Sequence, residues 1–215
     1  MRELPILFNT EMVKVILDGK KTQTRRIVKP QPITDDCGNI HYKGFNFGQT
    51  IAGVPHFENM IKGKAPYQVG DRLYVREKTR LISFTDKRIF SKNDPARFRY
   101  EADQSETELK VWPDRIKMFM TGDCCSNGCF KELARIWLEV TAVRVERVQD
   151  ITSLDVLAEG IVDENSDKQI VCGIRTHDSK TIMAKFQNLW DSIYKNWDVN
   201  PWVFVTEFER IEVGK

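Results

Sequence analysis

No window of this sequence approaches the roughly 18 continuous apolar residues that a membrane-spanning helix requires, and no basic-then-apolar leader opens it. The expectation is a soluble, cytoplasmic protein with no membrane partner. The five cysteines are an odd number without regular spacing, which argues against a disulfide framework and fits a reducing compartment. A large charge of either sign is also lacking, because 33 Lys and Arg stand against 31 Asp and Glu and leave a net +2. Such a chain is not a polycation that coats nucleic acid indiscriminately, so any anion site has to come from local clustering. Internal repeats and low-complexity tracts are missing, which excludes solenoids and compositionally biased tails.

What is present is an ordinary globular composition, 41% apolar and 30% charged, in 215 residues. That length holds one sizeable core, and we expect a single domain over 1–215 with long insertions. The densest chemistry lies early. Between Lys14 and Lys29 stand Lys14, Lys20, Lys21, Arg25, Arg26 and Lys29 against the single acid Asp18. Asn9 or Thr10 offers an N-cap, Glu11 suits the first turn, and Met12, Val13, Ile16 and Leu17 recur at helical spacing. Gly19 sits where a left-handed C-cap is expected, which predicts a helix over about 10–18. GKKTQTRR, Gly19 to Arg26, follows directly. From Thr22 to Val28 the β-branched content predicts a short strand, stopped by Pro30 and Pro32. In a regular strand Lys21 and Thr24 face opposite sides, so they cooperate only if the chain turns between them.

Farther on, 31–66 reads as a long loop with scattered glycines, His41, His56 and aromatics, a pattern that suits a packed lid. GDRLYVRE, Gly70 to Glu77, alternates Leu73 and Val75 against Arg72, Tyr74 and Arg76, as a half-buried strand does. Residues 85–132 read as irregular, with one strand near 98–102. Apolar positions then run Ile136, Leu138, Val140 and shift parity to Val143, Val145, Val148, as a strand bent at a barrel corner does. In ITSLDVLAEGI, Thr152 caps a helix, Asp155 completes a capping box, Ile151 staples onto Val156, and Gly160 ends it. Glu159 then falls in the last turn, the wrong end for an acid against the helix dipole. After a polar stretch at 162–178, Ile182, Met183, Phe186, Leu189, Trp190, Ile193 and Tyr194 mark an amphipathic helix, and Trp202 to Ile211 a closing strand. Cys124, Cys125 and Cys129, with Cys172 or His177, do not make a recognised pair of zinc knuckles. No metal and no cofactor is expected.

The helix followed by GKKTQTRR, the GDRLYVRE strand, LEVTAVRVERVQDIT with its AEGI helix, and the final WVFVTEFERI strand together resemble an ASCH domain of the PUA-like superfamily. The likeness is greatest to phage and prophage ASCH proteins, and covers half to two-thirds of the chain. The family signature sets a glycine, a lysine, an acid and an arginine at fixed spacing. Here stand Gly19, Lys21, Thr24 and Arg26, with threonine where many members carry glutamate. The small bacterial ASCH enzymes that remove the acetyl group from acetylcytidine share that threonine. Aligning on Glu139 to Ala142 carries their glutamate onto Glu159.

The resemblance implies an α+β fold built on a small PUA-like β-barrel with flanking helices, with insertions near 31–66, 85–132 and 162–178. It implies Lys21, Thr24 and Glu159 as catalytic candidates. Lys20, Gln23, Arg25, Arg26, Arg72 and Arg76 are the candidates for holding RNA or a modified nucleoside. If a phage encodes the chain, the compartment is the host cytoplasm. The leading expectation is recognition of a nucleobase or nucleic acid in a basic pocket. The alternatives are an amidohydrolase acting on acylated cytidine or a related pyrimidine, and a ribonuclease. Amide hydrolysis needs a nucleophile, a base and an oxyanion stabiliser, which a hydroxyl, a lysine and a carboxylate can share in more than one way.

Overall fold

The computed structural model describes residues 1–49, 56–84, 95–110, 124–125, 130–161, 170–171, 174–175 and 179–212. In chain order the elements are β1 (Glu3–Leu7), α1 (Thr10–Leu17), β2 (Gln23–Ile27), β3 (Ile33–Thr34), β4 (Asn39–Tyr42), β5 (Phe45–Gln49), α2 (His56–Lys62) and β6 (Arg72–Arg76). There follow β7 (Thr79–Phe84), β8 (Ala96–Tyr100), β9 (Glu106–Leu109), β10 (Cys124–Cys125) and β11 (Trp137–Arg147). The last are α3 (Ser153–Ala158), β12 (Ile170–Val171), β13 (Ile174–Arg175), α4 (Ser179–Ile193) and β14 (Trp202–Ile211). The fold is α+β, rich in sheet and with few helices, and among the described residues none of its sheets closes on itself. No described helix is long and apolar enough to cross a membrane.

The chain divides into two compact units. The first comprises Met1–Asp18, Asp71–Glu139 and Arg210–Lys215. Helix α1 opens as its sequence predicts, with the Asn9 side chain accepting from the Met12 amide at 2.8 Å and Val13 and Ile16 buried. Strand β1 pairs in parallel with β6, and β6 pairs antiparallel with the start of β11. Leu73 and Val75 of β6 are fully buried, so the alternation read from GDRLYVRE sets the buried face. A second sheet, ordered β10-β7-β8-β9, buries Leu81, Ala96, Phe98 and Leu109 with Leu133.

The second unit comprises Gly19–Gly70 and Val140–Glu209. Strand β14 pairs antiparallel with β2, placing Thr206 opposite Thr24 and Glu207 opposite Gln23. The amphipathic stripe of α4 buries Ile182, Phe186 and Trp190 in one cluster with Val148, Ile151, Val156, Val203 and Val205. Ile151 and Val156 share that cluster, as a hydrophobic staple requires. Strand β14 departs from simple alternation, with Trp202 to Thr206 buried without a break. Val203 and Val205 face the α4 cluster, while Trp202 packs edge-on against Phe57 with ring centroids 5.1 Å apart. Ile193 is 59% exposed and lies off the buried stripe.

The segment read as a loop at 31–66 corrects that reading. It forms a three-stranded antiparallel sheet, β3-β4-β5, followed by α2. The strands are short, and only Ile40 and Tyr42 of β4 alternate inward, too little for a period-two signal to stand out. Lys43 and Gly44 join β4 to β5 with φ of 50° and 83°, the pair of left-handed residues that a two-residue type I′ hairpin loop needs. Strand β11 does switch faces, burying Leu138 and Val140 and then Val143 and Val145, with Thr141 exposed between them. The parity changes at Thr141 and Ala142, within the second unit.

Phe98 is wholly buried in the first unit. Phe98→Ala should cost about 3–5 kcal/mol through lost burial and the cavity left behind, measured as a fall in unfolding free energy in urea.

Candidate functional site

The candidate site lies within the second unit, where the C-terminal end of α3 meets the residues just before β2. Thr152 and Asp155 form the reciprocal capping box that starts α3. At its other end Gly160 adopts a φ of 86°. Its amide donates to the Leu157 carbonyl and that of Ile161 to the Val156 carbonyl, the two bonds of a Schellman motif. Two carbonyls of this last turn are taken by the segment before β2. The Thr22 amide donates to the Ala158 carbonyl at 2.9 Å, and Lys21 Nζ donates to the Glu159 carbonyl at 2.7 Å.

Lys21 Nζ also donates to Glu159 Oε2 at 2.9 Å, and both side chains are nearly inaccessible. This explains the acid at the wrong end of the helix. The helix end opposes a negative charge by roughly 0.3–1 kcal/mol. An opposite charge about 4 Å away in an effective dielectric near 20 attracts by roughly 4 kcal/mol before desolvation, so the ion pair outweighs the dipole. One ammonium therefore neutralises a carboxylate and caps a helix end.

Arg25 extends the pair into a network. Its Nη1 donates to Glu159 Oε1 at 3.2 Å and to the Gln23 side-chain carbonyl. Its Nε and Nη2 both reach Glu146 Oε1, at 3.1 and 2.6 Å, and Nη2 lies 3.4 Å from Asp155 Oδ2. Arg144 then binds Glu146 at 2.8 Å, Asp155 at 2.7 Å and Glu207, which also accepts from Gln23 at 3.2 Å. Three cations thus meet four carboxylates. Burial alone would raise the Asp155 carboxyl, but hydrogen bonds from the Thr152 amide and hydroxyl, with the Arg25 charge, hold it lowered to about 2.

The arrangement sorts the candidates. Lys21, Gln23, Arg25 and Glu159 come together and are buried. Thr24 is also buried, but strand alternation turns it away from Gln23 and Arg25, opposite Thr206, and its hydroxyl takes no part in this network. The turn that would bring Lys21 and Thr24 to one side is therefore not made within β2. Arg25, expected to meet a ligand's phosphate, is committed to carboxylates, because it lies on the same face of β2 as Gln23, toward α3 and β11. Lys20 is exposed and Arg26 half-buried. Arg72 and Arg76 stand on β6 of the first unit, in register with Glu3 and Leu7.

Sequence reasoning missed Glu146, Arg144 and Glu207, and saw in Asp155 only a cap. The available signal was period two. Arg144 and Glu146 occupy the face of β11 opposite Val143 and Val145, and so converge with whatever covers that face. The cysteine cluster extends outside the described residues at Cys129 and Cys172, as does His177; Cys124 is half-buried. Comparison with protein-family models, curated proteins and solved structures finds no match.

Arg25→Met should cost about 3–5 kcal/mol in urea unfolding, because it strands buried carboxylates. Lys20→Met, on the surface, should stay within about 0.5 kcal/mol. Because Asp155 titrates below its unfolded value, its contribution to stability is complete above that value and is lost as pH falls through it toward about 2. Asp155→Asn should accordingly flatten the dependence of the unfolding midpoint on pH between about 5 and 2.

Proposed function

We propose that the protein recognises a nucleobase or nucleic acid, RNA or a modified nucleoside, at the Lys21–Glu159 site on a PUA-like scaffold. The barrel of that scaffold would need pairing beyond that made by the described strands. One observation carries the reading. The Glu159 carboxylate is held between Lys21 and Arg25, and among the described residues each oxygen accepts one side-chain bond where an ionised carboxylate offers about four acceptor positions. A fixed, desolvated acceptor of this kind suits an exocyclic amine such as that of cytosine or adenine. It discriminates, since a ligand without the donor displaces water from an acceptor position and leaves that position unfilled. Lys20, next to Lys21 in the chain, is exposed to solvent. The resemblance of GKKTQTRR and the AEGI helix to the ASCH pattern supports the same ligand class.

The direct contact of Lys21 with Glu159 favours a second reading, the amidohydrolase acting on acylated cytidine. Here Lys21 would hold the developing oxyanion and Glu159 would move the proton of an attacking water. Thr24 would not be the nucleophile in this version, because it is turned away from the pair.

Thermal melting in the presence of cytidine, acetylcytidine and short RNA or DNA tests the lead. At about 100 times its dissociation constant a true ligand stabilises by roughly 2.7 kcal/mol, and Glu159→Gln should lose that gain. A melting temperature unmoved by every nucleoside and nucleic acid overturns it. Release of acetate from acetylcytidine, abolished in Lys21→Ala that still melts cooperatively, would move the assignment to the hydrolase.

A further inference from the structure

The hairpin that sequence reading took for a loop carries a second feature, independent of the ion network. Strand β5 places Phe45 and Phe47 on one face, two residues apart, with ring centroids separated by 6.5 Å. Phe47 packs edge-on against Phe57 at 5.5 Å, and Tyr42 packs on the same ring at 6.4 Å. Those contacts account for Tyr42 and Phe47 as packing residues. They do not account for Phe45, which is 69% exposed, nor for Met60 of α2, which is 50% exposed. These side chains line a cavity of about 320 Å³, with Ile61 beneath. Among the described residues the charged ones lining it are Lys43 and Lys64, with no acid beside them.

A volume at the lower end of the roughly 300–1,000 Å³ that small-ligand sites occupy, flat rings with a reachable face, and charges of one sign define a ligand class. The occupant is planar, apolar on its faces and anionic at its edge. We infer that this cavity receives one unpaired nucleotide of a single strand, its base stacked on Phe45 and its flanking phosphates met by Lys43 and Lys64. An acidic peptide would satisfy the lysines but has no need of a flat ring surface. The inference rests on the nucleic-acid reading above and adds to it where the strand is gripped, away from the residues that read the base at Glu159.

The test is fluorescence anisotropy with a short fluorescein-labelled oligouridylate. Phe45→Ala should weaken binding roughly 5- to 150-fold, the range for losing one base–aromatic stack, with no change in melting temperature because the ring is exposed. Lys43→Asn, which keeps a residue tolerant of the left-handed turn, combined with Lys64→Gln, should flatten the slope of log K against log salt by about 0.7 per lysine. Affinity unchanged by Phe45→Ala, or a salt slope unchanged by the lysine pair, overturns the inference. If cytidine still stabilises the wild type and Glu159→Gln abolishes that effect, the reading of the Glu159 site survives such a failure. A wild-type chain that binds neither oligouridylate nor nucleoside overturns both, and one that binds nucleoside but not oligouridylate overturns the cavity alone.

Discussion

The second unit depends on how the C-terminal end of α3 is terminated. A six-residue helix gains little from its own hydrogen bonds, and its last carbonyls need partners in a place where water has little access. The chain supplies them from Lys21 and Thr22, residues 138 and 136 positions away from their acceptors at Glu159 and Ala158. Because Lys21 meets both the backbone and the carboxylate of Glu159, the cap and the ion pair are one structure. The register of β2 follows from it, since the Thr22 carbonyl accepts from Phe208 of β14.

Once Lys21 and Glu159 are buried together, the remaining charges have little freedom. A buried ion pair repays its desolvation only when further partners support it, and Arg25 pairs with Glu159, Glu146 and Asp155 at once. Against an apolar replacement such a network adds little net stability, so its value lies in holding groups in one geometry. That is what a recognition site needs: a carboxylate whose position is set before the ligand arrives. The consequence runs against a simple basic patch, because the two central cations of GKKTQTRR, Lys21 and Arg25, are buried against carboxylates.

Much of the fold was legible from local signals. The Asn9 cap and Gly19 bound α1, the capping box and Gly160 bound α3, and the stripe of α4 and the face switch of β11 all follow from short-range stereochemistry and periodicity. The same signals failed at 31–66, where strands of two to five residues are too short to establish a period and are organised by the Lys43–Gly44 turn and by burial of Tyr42 against Phe57. In the site, Glu159 was conspicuous because it conflicts with the helix dipole. Glu146, Arg144 and Glu207 were not, since on a half-buried strand a charged residue ordinarily faces water.

Local stereochemistry sets where helices start and stop, which face of each strand is apolar, and which acid sits at an unfavourable helix end. Those depend on neighbours within a few residues and on the chirality of the backbone. Which charges meet is set by how the elements pack. That packing seats Lys21 on the end of α3, turns Arg25 toward three carboxylates and Thr24 toward Thr206, and leaves Phe45 in solvent beside two lysines. Charge pairing is a property of distance in space, and here the partners of Lys21 and Arg25 come from α3 and β11, more than a hundred residues along the chain.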